Sequence, residues 1–258
     1  MKALITFALA NEFAPWREAH AFRPEKYARG AIQIAQIGAV EVTALITGVG
    51  PDRARAAVAA FIEGESEAID LCISSGFAGA LKTAHPVGTV LAARTVSQKS
   101  GPKESLCESH PLLLAPAAES GATLVDRFCT TSRAVTTAAE KRRLSAQADA
   151  VEMESFEVMR AAEKCGVASV AIRAVSDGAD EDLPLDVNSL LAGGQVSVPR
   201  VIGQIARRPQ SLPGLVRLGR QSRMAAQSLA QFLDRYLAAL GSADHRLPGT
   251  LAVTAAAR

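Results

Sequence analysis

The chain has 258 residues, a formal charge of +2, 48% hydrophobic residues, 21% charged residues and 4% aromatics. The apolar share suits a packed core and argues against disorder. The near-neutral balance gives no electrostatic reason to expect a nucleic-acid partner, and so few aromatics leave little for base-stacking platforms.

Leu4–Leu9 is a continuous apolar run behind Lys2 and predicts a first buried strand, ending at Asn11 and Glu12. Arg17–Tyr27 is mixed and polar and reads as a short helix and loop. Val40–Thr47 predicts a strand that runs into Gly48-Val49-Gly50-Pro51, with an alanine-rich helix over Asp52–Glu63. A glycine turn between strand and helix can present backbone N–H groups to an anion or a hydroxyl, but this one lacks the Lys-Ser/Thr of a P-loop. Ile69–Ser74 is another buried strand, followed by a second glycine-rich turn, Ser75-Gly76-Phe77-Ala78-Gly79-Ala80. Val87–Val96 and Thr123–Thr130 predict further strands, and Gln98–His110 a loop over the site. Thr136–Ala146 reads as a helix with Lys141, Arg142 and Arg143 on its solvated side.

The most informative stretch is Ala150–Asp180. Glu154 opens a helix that ends near Cys165-Gly166, and an apolar strand, Ala168–Val175, delivers Ser176 and Asp177 at its carboxyl end. In open α/β sheets ligands gather at that end of the strands. Arg173 lies inside this strand, and a buried arginine needs a carboxylate partner, so a structural ion pair is expected. Glu152 and Glu157 read as solvent-facing or lid residues. Asp180 and Asp182 are rival acids in an acidic loop.

Beyond Asp186 no acid occurs before Asp234, and six arginines lie between them, at 200, 207, 208, 217, 220 and 223. Apolar residues at helical spacing over Leu215–Leu240 predict a C-terminal helix with a basic outer face. That arginine-rich region is also a candidate for peripheral contact with an anionic membrane. Residues 1–240 read as one domain, and 241–258 as a disordered tail. Strands alternating with helices predict an α/β fold with a mostly parallel or mixed sheet. Cys72, Cys107, Cys129 and Cys165 lack CxxC spacing and read as reduced thiols of a cytoplasmic protein, with no metal or organic cofactor implied.

Four segments in chain order resemble the nucleoside phosphorylase/nucleosidase superfamily: the amino-terminal strand ending in Glu12, ITGVG at Ile46–Gly50, SSGFAGAL at Ser74–Leu81, and VEMES…VSDGAD over Val151–Asp180. Within it the chain looks closest to methylthioadenosine/S-adenosylhomocysteine nucleosidases. It also resembles hopanoid-associated phosphorylases, which act on an adenosyl lipid and which DEDLPLD and the arginine-rich end fit better. The resemblance implies a three-layer α/β/α fold around a central mixed, largely parallel β-sheet, cleavage of a purine N-glycosidic bond, and a homodimer. It implies that Asp177 protonates the leaving purine at N7, Glu154 binds the ribose hydroxyls, Met153 lies against the sugar and Glu12 activates the attacking water. Val135 stands near the place of the purine-stacking aromatic of the nucleosidases, with Phe156 as a substitute. In many superfamily phosphorylases an arginine and a serine at the second glycine turn serve phosphate; here Ser74 and Phe77 take those places, next to Gly76. That favours hydrolysis, or a phosphate site using Arg53, Arg94 or backbone groups.

The chemistry asks for these residue types. Breaking a ribose–purine bond builds positive charge on the sugar and negative charge on the base, so a carboxylic acid near the purine nitrogens can donate as the charge develops. Asp177 must then carry a proton near neutrality, which an apolar strand end favours by desolvation. An ionised Glu154 can accept from two vicinal hydroxyls and favours the cationic sugar. The expected function is a purine nucleoside N-ribosyl hydrolase releasing adenine from a 5′-substituted adenosine. The alternatives are a phosphorylase acting on an adenosyl nucleoside such as an adenosyl lipid, and a non-catalytic nucleoside-binding protein.

Overall fold

The computed structural model describes residues 1–27, 30–64, 68–100, 103–184, 187–192, 195–196 and 209–242. Arg200, Arg207, Arg208 and the tail beyond 242 lie outside the described residues.

The strands are β1 (Lys2–Phe7), β2 (Arg23–Tyr27), β3 (Gly30–Ile37), β4 (Val40–Ile46), β5 (Leu71–Ser74), β6 (Phe77–Ala80), β7 (Val90–Ser100), β8 (Lys103–Glu108), β9 (Thr123–Thr130), β10 (Ala150–Glu152) and β11 (Ala168–Asp177). They form one mixed sheet in the order β2-β3-β4-β1-β5-β11-β6-β10-β9-β7-β8. Its centre is parallel: β1 pairs with β4 and β5, and β11 with β5 and β6. Because β7 also pairs with β11, antiparallel, the strands β11, β6, β10, β9 and β7 close on themselves. That closure brings the ends of β10 and β11 near one another.

The helices are α1 (Ala10–Ala19), α2 (Pro51–Gly64), α3 (Pro111–Glu119), α4 (Ala138–Leu144), α5 (Ser155–Lys164), a short α6 (Val187–Leu190) and α7 (Leu212–Ser242). Successive side chains of a strand face opposite ways, and β1 shows the consequence. Ala3, Ile5 and Phe7 join one core with Phe13 and Trp16 of α1, Leu113 of α3, and Leu229, Phe232 and Tyr236 of α7. Leu4 faces the other way, towards Val58 and Phe61 of α2 and Val158 of α5. Helices therefore cover both faces, as the three-layer expectation has it. The helical spacing expected over Leu215–Leu240 lies within α7, and from Ala225 onward its apolar positions are buried.

Several elements differ from the sequence reading. The helix after β1 begins at Ala10, so Glu12 sits in its first turn rather than at a strand end. Arg23–Tyr27 is an edge strand whose residues are mostly exposed, which explains its polar composition. The expected loop over the site is largely strand: Gln98, Lys99 and Ser100 continue β7, and Lys103–Glu108 form the outer strand β8, again mostly exposed and polar. The second glycine segment is not a turn throughout, since Phe77–Ala80 forms β6 between β11 and β10.

Candidate active site

One cleft of about 200 Å³ is lined by Glu12, Phe77, Val135, Met153, Glu154, Ser176 and Asp177, with Val49, Glu152 and Leu183 also in its lining. Glu12 comes from the first turn of α1. Its carboxylate accepts from the N–H groups of Ala8 (2.7 Å), Leu9 (3.0 Å) and Phe77 (3.1 Å), so it closes the α1 terminus and ties it to β6. Burial is the main cause that pushes Glu12 above the ordinary carboxylate range, against the pull of Arg173 and the three backbone donors.

Glu154 is the residue before α5, and its Oε1 accepts from the N–H of Gly50 at 2.9 Å. The first glycine turn thus presents a backbone donor to this carboxyl, not to an anion. Burial, with Glu152 and Glu12 nearby and only Arg173 opposing strongly, pushes Glu154 up to about 8. The expectation of a simply ionised Glu154 is corrected accordingly: three carboxyls crowd one guanidinium, and burial favours keeping a proton among them.

That guanidinium belongs to Arg173, which is fully buried on β11. It pairs with Glu152 Oε2 at 2.7 Å, lies 3.6 Å from Glu154 Oε2, and donates to Ser155 Oγ, Ser74 Oγ and the carbonyl of Ser75. The expected ion pair is present, and its partner corrects another reading. Glu152 is buried, not solvent-facing; it also accepts from Thr130 Oγ and from the N–H groups of Glu154 and Ser155 at the start of α5. Glu157 is half-buried and faces Arg55 at 3.9 Å.

Gly76 allows this packing. It has a φ of +131°, and a Cβ there would stand 2.5 Å from Arg173 Nη1 and 2.9 Å from Glu12 Oε2. Gly79 does the same for Asp177, whose Oδ2 would lie 2.9 Å from an added Cβ.

Asp177 ends β11. Its Oδ1 accepts from Ser176 Oγ at 2.7 Å, and its Oδ2 meets Lys141 Nζ at 2.5 Å. This overturns two expectations. Lys141 is not on the solvated side of its helix but fully buried, and the surroundings of Asp177 are not simply apolar. The register of α4 is the reason: Ala138 and Lys141, three residues apart, share its buried face. Arg142 is exposed and 3.6 Å from Asp180, while Asp182 accepts from the N–H of Ala138; neither aspartate lines the cleft. Phe156 is also absent from it, being packed against Met159 and Val175 in a core beneath the closed strands, so it cannot stack a base there. Arg53 and Arg94 are exposed and do not line the cleft. Among the described residues, no three His, Cys, Asp or Glu side chains gather as metal ligands.

Sequence reasoning missed Lys141 and Glu152. For Glu152 a signal was present, since Thr130, Val151 and Arg173 lie in apolar segments that had to be paired by strands. For Lys141 none was: a KRR run on a short helix reads as a solvated face until the tertiary partner is known.

A closed, helix-flanked α/β sheet with four carboxyls, Glu12, Glu152, Glu154 and Asp177, lining one cleft describes an enzyme-like scaffold. The family model of the phosphorylase superfamily matches residues 2–201, and the chain belongs to that superfamily. No curated protein matches it. Among solved structures, it is similar to the 5′-methylthioadenosine/S-adenosylhomocysteine nucleosidase of Neisseria meningitidis in complex with methylthio-immucillin-A (TM-score 0.70, 19% identity, 92% of this chain and 98% of that one). The corresponding nucleosidase of S. pneumoniae matches with a TM-score of 0.70 and 20% identity, over 93% and 100% of the two chains. The futalosine hydrolase of Helicobacter pylori matches with a TM-score of 0.70 and 18% identity, over 92% and 97%.

Proposed function

We propose that the protein hydrolyses the N-glycosidic bond of a 5′-substituted adenosine and releases adenine. The observation that carries this reading is the cleft in which Glu12, Glu154 and Asp177 meet while the two buried cations beside it, Arg173 and Lys141, are already engaged by carboxylates. A phosphorylase needs cationic donors for its anion; among the described residues, no cation lines this cleft, and Glu12 and Phe77 occupy the side from which a nucleophile would come. That the similar structures are named as nucleosidases and a hydrolase supports water as well.

In the reaction, Asp177 gives a proton to the purine at N7 as the C1′–N9 electron pair moves onto the base. Glu154 holds the ribose hydroxyls, Met153 lies against the sugar, and Glu12 takes a proton from the water that adds at C1′. A burial-raised Glu12 is the stronger base once ionised. Val135 and Phe77 supply apolar walls in place of an aromatic stack. A cleft of about 200 Å³ is smaller than the roughly 300–1,000 Å³ that enclose drug-sized ligands, which suits a substrate whose 5′ group extends outside it.

The test is adenine release from a panel of 5′-substituted adenosines, with and without phosphate. Release without phosphate is expected. Strict phosphate dependence would replace hydrolysis by phosphorolysis, and tight retention of nucleoside without release would make the chain a binding protein.

The same reading includes a cytoplasmic homodimer built on residues 1–240. No helix among the described residues is long and apolar enough to cross a membrane. The first turns of α7 expose Leu212, Val216 and Met224 beside exposed Arg217, Arg220 and Arg223, a basic and apolar strip of the kind that meets anionic bilayers. Co-sedimentation with phosphatidylglycerol vesicles, lost in high salt, tests that contact.

A further inference from the structure

Resting on the proposed nucleosidase reading, we propose that Lys141 is a positioning residue for departure of the purine, acting through Asp177. Burying an ammonium carries an effective penalty of several kcal/mol unless it is well paired, and Lys141 has no exposed surface. Its three N–H bonds are all directed at one place: Asp177 Oδ2 at 2.5 Å, the carbonyl of Gly178 at 2.6 Å and that of Glu181 at 3.1 Å. A residue needed only to fill the gap under α4 would be apolar.

The contacts define a clamp with two sides. One is the segment that carries Val135, a wall of the cleft; the other is the chain just after Asp177. The clamp is reinforced by Asp182 accepting from the N–H of Ala138 at 2.7 Å and by the N–H of Leu183 donating to the carbonyl of Thr136 at 2.8 Å. Lys141 occupies Oδ2, and Gly79 leaves the space in which that oxygen sits. Oδ1, which meets only the Ser176 hydroxyl among the described residues, is left for the base.

The proton balance follows. Oδ1 takes a proton from solvent, then passes it to purine N7 as the C1′–N9 bond breaks and its electron pair goes to the base. Asp177 is left as a carboxylate, and the Lys141 ammonium offsets that charge at the moment it forms. Water adds at C1′ and gives its proton to Glu12. The lysine thus serves leaving-group protonation alone, not water activation or sugar binding.

A leaving group that departs without a proton isolates this role. For the wild type, Lys141→Met and Asp177→Asn, kcat/KM is measured on the best adenine nucleoside and on 4-nitrophenyl β-D-ribofuranoside, whose phenolate leaves unprotonated. General acid–base groups contribute typically 10²–10⁴-fold. Lys141→Met is expected to lose about 10²-fold on the nucleoside and to keep its nitrophenyl activity, with Asp177→Asn showing the same pattern more strongly. The double variant should lose no more than Asp177→Asn alone, because one residue acts through the other. The ratio of the two kcat/KM values does not depend on how much of a variant is folded, so a poorly folding Lys141→Met remains informative; Lys141→Gln provides a second reading of the same ratio. An unchanged ratio in both lysine variants, with Asp177→Asn discriminating, overturns the role of Lys141 and leaves the proposed function standing. A wild type that cleaves neither substrate refutes the proposed function itself, and this inference with it.

Discussion

Glu154→Gln should cost activity and add stability, and the added stability should grow with pH. The carboxyl of Glu154 is buried beside Glu152 and Glu12 and is pushed from 4.5 up to about 8, with burial the largest cause. A group raised in the folded state binds its proton there after the unfolded chain has released it. Its contribution to stability is therefore full below about 4.5 and is lost as pH rises towards 8. At ~1.4 kcal/mol for each pH unit, the whole excursion amounts to roughly 5 kcal/mol. Glu12 and Glu152 share the same guanidinium and readjust when residue 154 becomes neutral, so this is an upper bound on the stability gained. The glutamine oxygen can still accept from Gly50 N–H. Urea denaturation of wild type and variant from pH 5 to pH 9 should give stability curves that diverge between pH 5 and pH 8, with the variant above, and run parallel beyond. Curves parallel throughout would refute the claim that Glu154 is held against ionisation by its surroundings. A hydrogen bond between an uncharged carboxyl and a sugar hydroxyl is worth about 0.5–1.5 kcal/mol, so kcat/KM at neutral pH should fall by about 2- to 10-fold in the same variant.

Glu12→Gln should lower adenine release by about 10²–10⁴-fold while leaving thermal unfolding within a few degrees, since one amide oxygen can still accept from the α1 terminus. Because burial raises Glu12, wild-type kcat/KM on 4-nitrophenyl riboside should climb with pH through a midpoint above 4.5, and the Glu12→Gln profile should be flat over that window. Gly76→Ala forces a Cβ against the Arg173 guanidinium and the Glu12 carboxylate at a φ of +131°. Strain at such a position is worth about 1–3 kcal/mol, so the melting temperature should drop by several degrees and activity should fall with it; an unchanged melt would show that the backbone there relaxes freely.

The buried strands were readable because each central strand is largely apolar on both faces, as β1, β5 and β11 are. The edges were not. Arg23–Tyr27 and Lys103–Glu108 expose most of their side chains, and exposed strands lack the alternation that marks a half-buried one. Gly76 and Gly79 looked like turn residues, yet they are needed where β6 passes close to Arg173 and to Asp177; close approach and turning ask for the same residue. Phe156 illustrates a different difficulty. Its place in the first turn of α5 puts it near Glu154 in sequence, but the helix face that bears it turns into the core below the closed strands.

The residues that the sequence could nominate are those whose backbone position is dictated by a strand end: Ser176 and Asp177 on β11, and Glu154 just beyond β10. The residues it could not nominate, Lys141 and Glu152, act across strands. Glu152 meets Arg173 because β10 is joined to β11 through β6, and Lys141 reaches Asp177 because α4 follows β9, the parallel neighbour of β10. Both contacts are consequences of the five strands closing on themselves, a property of pairing over long sequence separations. Each also joins a buried cation to a buried carboxylate that lines the cleft. The proposed reaction puts positive charge on a sugar and negative charge on a base, and the carboxylate excess around Arg173 and the cation beside Asp177 suit that polarity.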